Sequence, residues 1–220
     1  MTGVQTCALP ISPTDLSYAQ IDRGARCDVI FALAGSATEE AARRKIIRAH
    51  TIERALRNSL ILIGTEAGID QNLDATPAEL SRLVAGKRLA IANPDRDVAG
   101  AYALDLLRRS GIVVDDRNKA VAVAESSAGV VSLLSTGKAR LGIVYSTDAA
   151  AGLRVVARLP VPDLPPIDYV VAQARDPASD TQPFMTFLKS AKAEAAFKSA
   201  GLQSIDTNDR AADAGAGRRQ

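Results

Sequence analysis

Apolar positions along the chain fall into two alternating kinds of segment. Short continuous runs have the length and β-branched content of buried strands, and between them apolar residues recur at helical spacing. The runs are CDVIFAL (27–33), LILIGT (60–65), RLAIAN (88–93), VAVA (121–124), LGIVY (141–145), RVVARL (154–159) and DYVVAQA (168–174). Residues 14–24 (TDLSYAQIDRG) predict a short helix stopped by Gly24. Ser36-Ala37-Thr38-Glu39 has the capping-box form and predicts the start of a helix carrying EEAARRKIIRAH. Thr76-Pro77-Ala78-Glu79 repeats that form, with proline at the first helical position, where its missing donor costs nothing. AGAYALDLLRRSG (99–111) and the stretch from about Ser126 to Thr136 predict helices ended by Gly111 and Gly137. PVPDLPPI (160–167) can be neither helix nor central strand and reads as a crossover. PFMTFLKSAKAEAAFKSAG (183–201) predicts one or two amphipathic helices, and the polar stretch beyond Ile205 predicts a disordered tail.

This alternation predicts an α/β protein with mostly parallel sheets flanked by helices. With 220 residues, 47% of them hydrophobic, the chain can bury one large core or two smaller ones. Its 27 basic and 25 acidic residues are interspersed, so no field for nucleic acid or an anionic membrane arises. Aromatics make up 4%, too few for base-stacking platforms. No apolar run approaches the roughly 20 residues of a membrane span.

Candidate chemistry is sparse. His50 is the only histidine and reads as a solvated residue near a helix end, so no Ser/His/Asp or Cys/His set can be built and no enzyme is expected. Cys7 and Cys27 belong to no CxxC pair, carry no metal or redox signature, and leave a mutual disulfide open. Neither GxxxxGK[ST] nor GxGxxG occurs. The pairs Glu39-Glu40 and Asp115-Asp116 read as solvated faces. Two strand-to-helix junctions stand out, Asn93–Gly100 and Ala124–Gly129, both rich in small and hydroxyl residues. Ligands of open α/β sheets bind beyond the carboxyl ends of strands. Helix N-termini there present unpaired amides and a positive dipole end, which suits an oxyanion. Small residues at Ala99, Ser127 and Ala128 would admit an anion to the backbone. Asp97 and Ser126 are equally good residues for ordinary helix caps.

RNSLILIG (57–64), residues 86–111, residues 124–149 with GIVYSTDA, PPIDYVVAQA (165–174) and residues 184–202 together resemble the molybdate-binding proteins of ABC importers, within the type II periplasmic binding-protein fold. The likeness covers roughly residues 14–203, and GIVYSTDA followed by PPIDY is its most specific part. It implies two α/β lobes, 13–64 plus 171–205 and 65–170, holding molybdate or tungstate in the cleft between them. It further implies a periplasmic, monomeric receptor that serves a membrane permease and has no cofactor. Members hold the oxyanion with amides and hydroxyls, which implies an amide from Ala99 in DVAG, an amide from Ser127 in ESSAG and the phenol of Tyr145 in GIVY.

Three departures accompany the resemblance. Relatives often carry a larger apolar residue at the position of Ser127, so its hydroxyl either contacts the anion or competes with the amide. The hydroxyl implied from the lobe opposite Ala99, Ser127 and Tyr145 falls nearest Thr14, beside an Asp15 that would repel an anion unless turned away. The family's first strand and helix find no match, and Met1–Ser12 resembles a translated sequencing adapter rather than a signal peptide. A cytoplasmic oxyanion-sensing domain and a receptor for another tetrahedral anion such as sulfate are the alternative functions.

Overall fold

The computed structural model describes residues 14–65, 73–114, 120–151, 153–161, 163–178 and 181–205. Met1–Ser12, Cys7, Asp115-Asp116 and the tail beyond Ile205 lie outside them. The first half of the chain runs α1 (Thr14–Asp22), β1 (Val29–Leu33), α2 (Ser36–Arg43), β2 (Glu53–Asn58), β3 (Leu60–Gly64), α3 (Pro77–Val84), β4 (Leu89–Ala92) and α4 (Val98–Arg109). The second half runs β5 (Val121–Ala124), α5 (Ser127–Ser135), β6 (Leu141–Tyr145), β7 (Arg154–Leu159), β8 (Ile167–Gln173), α6 (Thr181–Phe187), α7 (Ala191–Ser199) and β9 (Gln203–Ser204). These elements form two units. The first takes the described residues up to Arg57, those of 167–199, and those from Gln203 onward; the second takes Asn58–Pro166 and Ala200–Leu202.

The first unit is built on the sheet β1-β8-β2-β9. Strand β1 alternates, with Ile30 and Ala32 buried while Phe31 is exposed. The buried residues meet Tyr18 and Ile21 of α1, Ala41 of α2, and Val170 and Ala172 of β8 in one core. Tyr18 hydrogen-bonds Thr38 Oγ1 at 2.9 Å, and that hydroxyl donates to Leu33 O at 2.9 Å. Burial pushes the Tyr18 phenol above its ordinary pKa despite this partner.

The expected capping box at Ser36 is not formed. Gly35 caps α2 at φ 148° with no side-chain bond, because the turn out of β1 requires a backbone only glycine adopts readily. Ser36 is therefore already helical. The helix also stops sooner than EEAARRKIIRAH predicts. Lys45 turns left-handed at φ 57°, and the Ile46 and Lys45 amides close back on Ala41 O and Ala42 O at 2.8 and 3.0 Å. That turn costs a lysine about 1–2 kcal/mol. It is offset by delivering Ile46 and Ile47, each only 2% exposed, into the core.

The second unit is built on the sheet β5-β4-β6-β3-β7. Strand β3 is buried along its whole length, as is β4. The capping box at Thr76 is complete, and the Thr76 backbone and hydroxyl bonds hold the Glu79 carboxyl below its ordinary pKa. Gly111 and Gly137 end α4 and α5 in left-handed turns, as their positions predict.

Mostly parallel sheets are realised only in part. β4 runs parallel to β5 and β6, whereas β3 runs antiparallel to β6 and β7, and the β1–β8 and β2–β9 pairs are antiparallel. A run buried on both faces has the same composition whichever way its neighbours point, so the pattern carries no direction.

Candidate functional site

Strands β4, β5 and β6 run parallel, so their carboxyl ends share one edge of the second sheet. Helix α4 starts just beyond β4, α5 starts just beyond β5, and Tyr145 is the last residue of β6. This topology aims two helix N-termini and one phenol at the same edge.

Close packing fixes the first helix. A Cβ on Gly100 would lie 2.4 Å from the Ala92 carbonyl oxygen and 2.8 Å from the Asn93 carbonyl carbon. Only glycine lets α4 approach β4 this closely. The turn between them is tied to Asn93, whose carbonyl accepts from the Asp97 amide at 2.9 Å and whose side chain accepts from the Asp95 amide at 3.0 Å. A Cβ on Gly129 would stand 3.1 Å from that of Ala124, so α5 packs nearly as tightly on β5. Ser126 caps α5 by accepting from the Gly129 amide at 3.3 Å.

Three of the donors that the resemblance implies come together here. The Ala99 amide donates to the Tyr145 hydroxyl at 3.0 Å and to Asp97 Oδ1 at 2.8 Å. Tyr145 Oη donates to the same Asp97 oxygen at 3.3 Å. The Ser127 amide, from the other helix, donates to Asp97 Oδ2 at 3.2 Å. One carboxylate therefore sits on all three donors.

The Ser127 hydroxyl takes a course the sequence did not suggest. It donates to Asp148 Oδ2 at 2.6 Å, and that oxygen also accepts from the Tyr145 amide at 3.2 Å. Asp148 thus draws the hydroxyl to itself and ties Tyr145 to the start of α5. Asp148 lies within GIVYSTDA, where nothing in the sequence marks it as a partner of Ser127. Asp97 was legible only as a cap for its own helix. Thr14 opens α1 in the first unit, and its side chain, with that of Asp15, lies outside the described residues.

His50 is exposed in the short 3-10 turn Ala49–Thr51. Burial and the neighbouring Asp28 push the Cys27 thiol above its ordinary pKa, which makes it a poor nucleophile at neutral pH. Among the described residues no group of three His, Cys, Asp or Glu side chains could hold a metal ion. No helix among them is long and apolar enough to cross a membrane.

Residues 12–203 match the family described as bacterial extracellular solute-binding protein. The chain is 31% identical over 187 residues to the molybdate-binding protein ModA of Escherichia coli, covering 83% of this chain and 72% of that protein. It is 26% identical over 177 residues to ModA of Haemophilus influenzae, covering 78% and 68%. Among solved structures, the substrate-binding domain of a putative molybdenum ABC transporter from Clostridium difficile superposes with a TM-score of 0.70 at 20% identity, over 90% of this chain and 86% of that one. The periplasmic molybdate-binding protein of Azotobacter vinelandii gives 0.66 at 22% identity, over 88% and 84%. These likenesses identify the fold as that of the type II periplasmic binding proteins. The chain belongs to the bacterial extracellular solute-binding protein family and is similar to the molybdate-binding proteins named above.

Proposed function

We propose that this protein captures a tetrahedral oxyanion, molybdate or tungstate, outside the cytoplasm and delivers it to the permease of an ABC importer, without catalysing a reaction. The observation that carries this reading is the meeting of the Ala99 amide, the Ser127 amide and the Tyr145 hydroxyl on a single anionic group. Two helix N-termini bring the positive ends of their dipoles to that point. Neutral donors of this kind offset the desolvation of an anion through several charge-assisted hydrogen bonds. They do so without a cation that would also attract chloride or carboxylates indiscriminately. Thr14 is kept as a fourth donor on the resemblance alone. A monomer suffices for such a role.

Thermal unfolding with sodium molybdate, tungstate, sulfate and phosphate tests the reading. A ligand at 100 times its Kd adds about 2.7 kcal/mol, which raises Tm by roughly 5–10 °C for a chain of this size. Molybdate and tungstate are expected to stabilise the protein, and sulfate and phosphate to have little effect. No shift with any of the four would overturn the oxyanion reading. A shift with sulfate or phosphate alone would overturn the choice of ligand.

Tyr145→Phe removes one hydroxyl and keeps the ring. It is expected to weaken molybdate binding about tenfold or more, since a hydrogen bond to a charged group is worth about 1.5–3 kcal/mol. Titration calorimetry checks this, and an unchanged Kd removes Tyr145 from the site.

A further inference from the structure

Capping of α4 explains only part of what Asp97 does. An N-cap carboxylate accepts from an amide in the first turn of its own helix, as Asp97 Oδ1 does from Ala99 at 2.8 Å. Capping does not account for the second oxygen, which takes the Ser127 amide of α5 at 3.2 Å from 30 residues away. Nor does it account for the Tyr145 hydroxyl at 3.3 Å. The Ala99 amide, the Ser127 amide and the Tyr145 hydroxyl are all bound to this one side chain. Its two oxygens stand at hydrogen-bonding distance from those donors.

We propose that the Asp97 carboxylate is a tethered stand-in for the ligand, seated on the donors of the oxyanion site and displaced when an oxyanion binds. This rests on the reading that Ala99, Ser127 and Tyr145 hold an oxyanion. Two physical consequences follow. A dianion and a carboxylate cannot share donors about 3 Å away, because like charges at that separation repel strongly in a partly buried setting. The side chain must therefore turn aside, and its charge remains close by. Affinity is lowered by both effects, and Asp97 becomes the residue that sets how tightly and how selectively the site holds its ligand. Fully deprotonated anions such as molybdate are penalised most, while an anion that still carries a proton can donate it to the carboxylate.

The test is molybdate and phosphate titration calorimetry of the full chain against Asp97→Asn and Asp97→Ser. Both replacements are good N-cap residues, so α4 keeps its start. Asparagine has the same shape without the charge, and serine is too short to reach Ser127. Both variants are expected to bind molybdate at least about tenfold tighter than the parent, with a smaller gain for phosphate. The amide resonance of Ser127 in ligand-free Asp97→Ser is expected to shift from its parent position. That of Gly129, capped by Ser126, serves as the reference that stays in place.

Equal or weaker molybdate affinity in both variants, with unfolding temperatures retained, would overturn the stand-in and leave the oxyanion reading intact. An unmoved Ser127 resonance would overturn it even if a variant proved too unstable to titrate. Should neither parent nor variants bind molybdate, tungstate, sulfate or phosphate, the oxyanion reading fails and the stand-in fails with it.

Discussion

Replacing Gly100 with alanine is expected to destabilise the protein by about 3 kcal/mol and to remove its thermal response to molybdate. The added Cβ would meet the Ala92 oxygen at 2.4 Å, the Ala92 carbonyl carbon at 2.7 Å and the Asn93 carbonyl carbon at 2.8 Å. All three are backbone atoms, two of them in β4, the strand between β5 and β6, so no side chain can swing aside to make room. Either the start of α4 lifts away from β4 or the end of β4 bends. Both movements displace the Ala99 amide, the next residue back, from Tyr145 and Asp97. Stability and binding are therefore expected to fall together. Ala101→Gly is the control one residue on, at an exposed helical position, where the cost is about 1 kcal/mol of helix propensity and the amide geometry is untouched. Urea unfolding of both variants separates the two effects. A Gly100→Ala protein within 1 kcal/mol of the parent would mean that α4 is not held by this contact.

Arg57→Met is expected to cost about 3 kcal/mol through a buried carboxylate of the first unit. Asp168 is only 1% exposed in β8. Arg57 Nε and Nη2 reach its two oxygens at 2.7 and 3.0 Å, and Arg54 Nη1 adds a longer contact at 3.3 Å. β8 and β2 are neighbours in their sheet, so this bidentate pair ties adjacent strands. Methionine keeps the apolar stem of the arginine but leaves a buried negative charge with its weaker partner. The double variant Arg57→Met/Asp168→Leu removes the charge as well and is expected to recover most of the loss. If Arg57→Met alone costs less than about 1 kcal/mol in urea unfolding, the pair contributes no more than an exposed one.

Which parts of this fold were legible in advance follows from where the information sits. RLAIAN and LGIVY became β4 and β6 because a fully buried strand must be apolar throughout. Thr76, Gly111 and Gly137 marked helix ends through chemistry local to a few residues. β2 went unread because its sequence, ERALRN, carries charges at Glu53, Arg54 and Arg57. Arg54 and Arg57 are there to meet Asp168, more than 100 residues away, and no window along the chain contains both. β9 is two residues long and exists only through its pairing with β2. The same limit applies to the candidate site. Ala99 and Ser127 stand out at strand-to-helix junctions, but such junctions are common to α/β proteins, so their donor roles and that of Tyr145 come through resemblance. Asp97 and Asp148 were passed over because what they bind comes from other elements, 48 and 21 residues away for their side-chain bonds to Tyr145 and Ser127.

Two of the three donors at the edge of the second sheet are main-chain N–H groups, those of Ala99 and Ser127. Codon changes at those positions can crowd the approach or open it, but every residue except proline presents the same donor. The hydrogen-bonding capacity is thus insulated from most point mutation, while the group seated against it hangs from a single replaceable side chain at position 97. On the proposed reading of Asp97, varying that tether would exchange one anion for another while the architecture that aims the amides stays unchanged.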